Sequence, residues 1–145
     1  MPVTPESALQ QWFENVWNKG DEAAIDVMFH ADGAIHGLPT PDGQPIRGPE
    51  GFKPFYRSLR AALSDITISV EHSMEKGEFA VAHCRVTGTH TGDGLGVPAT
   101  HKPIEFWGFT LARVVDGQLV EGWNSFDFLA MYEQIGVRLN LPPAQ

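Results

Sequence analysis

The main change in the spacing of large apolar residues falls near residue 65, and that change fixes the broad order of helices and strands that any fold must accommodate. Up to Leu63 they recur every three or four residues, the period of a helix with one buried face. Thr4 can cap a first helix whose first position is Pro5, where a missing N–H costs nothing. Leu9, Trp12, Phe13, Val16 and Trp17 share its face, and Gly20 stops it. Asp21 can cap a second, short helix carrying Ile25, Met28 and Phe29. A short strand over Ala34–Leu38 and a proline-rich, turn-forming stretch over Pro39–Pro49 follow. Pro49 opens a third helix with Phe52, Phe55, Tyr56, Leu59 and Leu63 on one side.

From Ile66 the period is two. Ile66, Ile68 and Val70 alternate with polar residues, and further runs follow over Phe79–His90, Pro103–Val115 and Gln118 to about Phe126. Asp116-Gly117 between the last two is a strong two-residue hairpin signal. A short helix over Asp127–Ile135 is stopped by Gly136. Helices first and an antiparallel meander second predict an α+β fold, with the helices on one face of a curved sheet. In the Pro103–Val115 run, Phe106 and Ala112 lie on one parity and Trp107, Phe109 and Leu111 on the other. Both faces are therefore apolar: one should meet the helices, the other a second subunit in a dimer or tetramer.

The 145 residues predict a single domain spanning 1–145. A formal charge of -8 leaves no basic surface for a phosphate backbone, so nucleic acid is not an expected partner. No run reaches the ~18 apolar residues of a membrane span, and the first fourteen residues lack the basic and apolar regions of a secretory leader. A cytoplasmic protein without membrane contact is the expectation. Cys84 stands alone, and no histidine pair at i, i+4 has a third ligand, which argues against disulfides and a metal site.

Several short segments, in order along nearly the whole chain, resemble the SnoaL-like polyketide cyclases, or ester cyclases, of the NTF2-like superfamily. They are Val16-Trp17-Asn18-Lys19-Gly20-Asp21, His36-Gly37, Gly48-Pro49-Glu50-Gly51-Phe52, Gly88-Thr89-His90-Thr91-Gly92, Asp116-Gly117 with Glu121-Gly122-Trp123, and Asp127 with Gln134-Ile135-Gly136. The resemblance implies a cone in which three helices cover a strongly curved, mostly antiparallel sheet around an apolar pocket. It also implies a cofactor-free, metal-free intramolecular aldol condensation run by one aspartate as acid and base, with Asp127 the best match.

Among the residues themselves, Asp127 is followed by Phe128, Leu129 and Met131, neighbours that would raise its pKa toward that of a general base. It also stands where a helix N-cap is needed, which is the competing reading. His36 and His90, at strand ends, are candidates to hold a substrate oxygen or carry a proton, or else ordinary hydrogen-bonded histidines. Glu121 shares the parity of Trp123 and Asp127 and could pair with Arg113 across the hairpin. Asn124 has the opposite parity and stays a pocket candidate. Trp12, Trp17, Phe55, Tyr56, Trp107 and Trp123 offer flat apolar area either to an aromatic substrate or to the core. The glycines at 92, 94 and 96 read as a flexible loop and a candidate lid. The leading expectation is a cyclase acting on an apolar or aromatic small molecule. An isomerase, hydratase or epoxide hydrolase on the same cone is one alternative, and a non-enzymatic binder is another.

Overall fold

The computed structural model describes residues 3–140 and 142–144. The elements are helix α1 (Pro5–Gln11) continued by a π-helical segment (Trp12–Asn18), α2 (Ala23–Met28), strands β1 (Phe29–His36) and β2 (Ile46–Arg47), α3 (Gly48–Ala62), β3 (Thr67–Lys76), β4 (Phe79–Thr89), β5 (Pro103–Val115), β6 (Gln118–Phe126) and α4 (Phe128–Gln134). One sheet runs in the order β2-β1-β6-β5-β4-β3. Every pair is antiparallel except β1 with β6. This is the α+β arrangement that the change of period predicts.

Thr4 caps α1, its hydroxyl accepting the Ser7 N–H at 3.1 Å. The helix does not continue to Gly20 in α geometry. It widens, and the Lys19 N–H donates to the Glu14 carbonyl at 2.8 Å, an i to i−5 bond. The carbonyls left near the end of the wide segment are taken up by α3: the Tyr56 hydroxyl donates to Val16 O at 2.8 Å and Arg60 to Trp17 O at 2.6 Å. Asn18 binds both the N–H and the C=O of Ile68, fixing this segment to β3. Nothing in hydrophobic periodicity announces a π turn.

Three other expectations need correction. Asp21 does not cap α2: Glu22 stands at the N-cap, without a side-chain bond, and Asp21 contributes only its carbonyl, which takes the Ala24 N–H. Phe29 begins β1 instead of closing α2, so β1 starts five residues before Ala34 and ends at His36. The proline-rich stretch contains β2, whose Ile46 and Arg47 pair with Ile35 and Ala34. At the hairpin, Asp116 and Gly117 both take positive φ, 51° and 76°, as a type I′ turn requires.

Burial alternates without a break along β5: Ile104, Phe106, Gly108, Thr110, Ala112 and Val114 are buried while the residues between them are not. The buried set packs with Leu9, Trp12, Phe13, Val16 and Phe52 of the helices in one core. On the other face the register aligns Met74, Val81, Leu111, Trp123 and His36 across five strands. Phe109, 52% exposed, stands in the adjacent row. The glycine-rich connection lies flat on α3, where a Cβ at Gly92 or Gly94 would fall 2.0 Å from the carbonyl oxygens of Ala61 and Ser58. Its N–H groups at Thr91 and Gly92 satisfy the Ala62 carbonyl.

Candidate functional site

A cavity of about 60 Å³ lies between the helices and the inner face of the sheet. Trp12, Phe13 and Trp17 enter it from the π-helical segment, whose wider turn brings positions i and i+5 toward one side. Phe52, Phe55 and Leu59 come from α3, and Ile35, Phe106, Leu119 and Phe126 from the sheet. Apart from the indole N–H groups of Trp12 and Trp17, the polar residues among its described lining are Thr110 and Asn124. The Thr110 hydroxyl donates to Asn124 Oδ1 at 2.7 Å, and Asn124 Nδ2 donates to the His36 carbonyl at 3.2 Å. These bonds fix the amide orientation, leaving one amide hydrogen and the threonine lone pairs to a ligand. A carbonyl oxygen would be recognised by that hydrogen. None of the described lining residues is titratable.

The structure therefore gathers Trp12, Trp17, Phe55 and Asn124 of the expected site and disperses the rest. Tyr56 is buried beside the cavity but serves the fold, its hydroxyl engaged by Val16. Burial pushes its phenol pKa up. Trp107 and Trp123 belong to the outer face, 40% and 36% exposed, because the parity of Phe106 and Asn124 is the one turned inward. The same parity takes Glu121 and His36 outward. His36 Nε2 lies 2.7 Å from Glu121 Oε2, and its ring stacks on Trp123 at 5.6 Å. Glu121 thus pairs with His36 and not with Arg113, which bonds Glu78.

Asp127 is exposed, and its Oδ1 accepts the Ala130 N–H at 3.0 Å. It is the N-cap of α4, and the apolar surroundings expected around its carboxylate belong instead to Phe126 and Phe128 on either side. His90 is fully buried but lines no described cavity. Its Nδ1 accepts the Thr100 N–H at 3.1 Å, so the ring closes the base of the 91–102 connection, while Nε2 is buried without a partner. Cys84 is buried, and desolvation pushes its thiol pKa up to about 12. Among the described residues no three His, Cys, Asp or Glu side chains form a metal-binding group.

Thr110 is the polar cavity residue that sequence reasoning passed over. Its signal was present: it is the one polar side chain on the inward parity of β5. Phe106, Phe126 and Phe128, which complete the aromatic wall, were also left out, being indistinguishable from core by spacing alone.

The family model for the SnoaL-like polyketide cyclases matches residues 7–135. Aklanonic acid methyl ester cyclase DnrD of Streptomyces peucetius is 32% identical over 121 residues, 81% of this chain and 80% of that protein. Aklanonic acid methyl ester cyclase DauD of Streptomyces sp. strain C5 is 32% identical over 139 residues, 92% of this chain and 83% of its own length. The crystal structure of wild-type IdmH from Streptomyces antibioticus superposes with a TM-score of 0.78 at 30% identity, over 92% of this chain and 99% of that one.

Proposed function

Because the chain belongs to the SnoaL-like polyketide cyclase family, we propose that it closes a ring in an apolar substrate carrying several carbonyl groups, by an intramolecular aldol-type condensation that needs neither metal nor organic cofactor. A C–H flanked by two carbonyls loses its proton and the charge delocalises as an enolate. The enolate carbon bonds a second carbonyl carbon, and the alkoxide so formed takes up a proton. The observation that carries this reading is the hydrogen-bonded pair Thr110 and Asn124, set in a cavity whose other described lining residues are aliphatic, aromatic or glycine. A donor held there stabilises enolate charge in a water-poor site. The aromatic walls fold the chain into a reactive pose, a contribution of up to ~7–11 kcal/mol in intramolecular models. The proton acceptor is Asp127, which stands between two cavity-lining phenylalanines and keeps its second carboxylate oxygen outside the bond to the Ala130 N–H.

A second reading, a binder of apolar small molecules, is favoured by one fact: no described residue lining the cavity is titratable. Isomerase or hydrolase chemistry would need an ionisable pair inside the cavity and has no such support. The test is incubation of the protein and its Asn124→Leu variant with a cyclisable polycarbonyl ester, with a chelator present. Ring closure by the parent, reduced by about 10² to 10³ in the variant, is the expected result, the scale for losing one oxyanion donor. A parent that binds the ester and returns it unchanged would establish the binder instead.

In the same reading the protein works in the cytoplasm as a homodimer or tetramer. The apolar row Met74, Val81, Leu111 and Trp123 on the outer face supports the assembly, since a second copy would cover it.

A further inference from the structure

An inner cavity of about 60 Å³ is far below the roughly 300–1,000 Å³ of small-molecule sites and has room for about four waters. A second cavity, of about 250 Å³, adjoins it between the 39–41 loop, α3, the Gly94-Leu95 segment and α4. The two share Phe55, Leu59 and Phe128. A third, open groove beside Gly37, Pro39 and Pro45 also ends on Phe128. One side chain therefore faces three compartments. Its ring meets Phe55 edge-on at 6.4 Å and Phe106 at 5.8 Å, closing the inner cavity from the larger one.

We infer that Phe128, set against Phe55, is the partition that decides the length of molecule the site accepts, and that an elongated apolar ligand lies across both cavities. This rests on the ring-closure reading for the reaction but concerns the shape of the ligand. The inner end takes an apolar ring with a carbonyl toward Asn124. The outer cavity brings the hydroxyl-bearing residues Thr40, Ser58 and Tyr132, and so takes the end of the molecule that carries oxygen substituents. Phe128 is the first residue of α4, one position after the Asp127 cap, and α4 is pinned to β5 by two bonds between Gln134 and the Glu105 backbone, at 2.8 and 2.7 Å. The start of the helix is held as well, the Asp127 side chain accepting the Ala130 N–H and the Asp127 N–H donating to the Trp107 carbonyl of β5 at 3.0 Å. Both ends of α4 therefore stay in place, and the size of the side chain at 128 sets the partition.

The test compares dissociation constants for acetophenone, one ring, and 2-acetylanthracene, three fused rings, by titration calorimetry on the parent and on Phe128→Ala and Phe128→Trp. Each ketone has a single carbonyl and cannot cyclise, so the measurement stands apart from turnover. Opening the partition should shift the affinity ratio toward the three-ring ketone by about tenfold in Phe128→Ala and the opposite way in Phe128→Trp, the scale on which pocket volume discriminates. Phe55→Leu, which opens the same partition from α3, should follow Phe128→Ala and covers the case in which a Phe128 variant does not fold. Ratios within twofold of the parent in all folded variants, or a parent that binds neither ketone, would overturn the partition. Failure to cyclise a polycarbonyl ester would remove the ring-closure reading and leave the size selection standing.

Discussion

Replacing Asp127 by asparagine and by alanine separates the two tasks that meet at this residue. Asparagine caps a helix about as well as aspartate, whereas alanine costs about 1 kcal/mol. The loss should be no larger, because α4 keeps its buried Met131 and its two bonds from Gln134 to β5. At about 2.1 cal/mol/K per residue, the 145-residue chain has an unfolding entropy near 0.3 kcal/mol/K, so Asp127→Ala should lower Tm by about 3 °C and Asp127→Asn by less than about 1 °C. Neither variant can accept a proton at that position. Turnover of a cyclisable polycarbonyl ester should therefore fall by roughly 10²-fold or more in both, the usual scale of acid–base catalysis. Calorimetry and a product assay on the same preparations give the two answers independently. An asparagine variant that keeps full turnover would leave Asp127 only its cap and remove it from the proposed chemistry. An asparagine variant that melts with the alanine variant would show that the bond to Ala130 is not what holds the helix.

Tyr56→Phe leaves the Val16 carbonyl of the π-helical segment without its donor and should destabilise the protein by about 1–3 kcal/mol in denaturant titration. The Thr89 N–H and hydroxyl hold the Asp65 carboxyl below its ordinary value of 3.8. Its contribution is complete above that value and is lost as pH falls through the lower folded value, so the stability gap between parent and Asp65→Asn should close on acidification. Cys84, with its thiol pushed up to about 12, should react with a thiol reagent at pH 8 only after unfolding, and fast labelling of the native protein would contradict its burial. Leu111→Asp, a charge in the middle of the outer apolar row, should shift the sedimentation of the assembled species toward monomer with no change in Tm extrapolated to low concentration.

Most of the fold was legible because it is written in periods. The switch from three-and-four to two near residue 65 located three helices and four strands, and Asp116-Gly117 located the hairpin to within a residue. The π-helical segment was not legible, since its cause lies elsewhere in the chain: Tyr56 and Arg60 supply donors to Val16 and Trp17, and Asn18 binds Ile68. The same holds for β2, two residues long and defined only by its pairing with Ala34 and Ile35. Phe29 was read as a helical residue because it sits one position after Met28 on the same apolar face; in the structure it becomes the first strand residue beside Leu119 of β6.

The site turned on a question that alternation alone cannot answer. A period of two sorts β6 into Glu121, Trp123 and Ser125 on one side and Gly122, Asn124 and Phe126 on the other, but it does not say which side faces the helices. A carboxylate, a tryptophan and the approach to Asp127 suggested the first set, yet that set is outward, with Trp123 stacked on His36 and Glu121 bonded to it. The arbiter is β5, whose thirteen residues admit one inward parity because Ile104, Ala112 and Val114 cannot be exchanged with Glu105, Arg113 and Val115 without burying two charges. The pairing of Thr110 with Asn124 then follows from register and carries Asn124 inward with it. Glycine at 122 and glycine at 108 are consistent with that choice: both are buried, and a Cβ at Gly108 would fall 2.3 Å from the Phe126 ring that lines the cavity. Orientation propagates across an antiparallel pair, so the strand with the strictest alternation fixes the face of its less regular neighbour, and with it the polar group that meets the ligand.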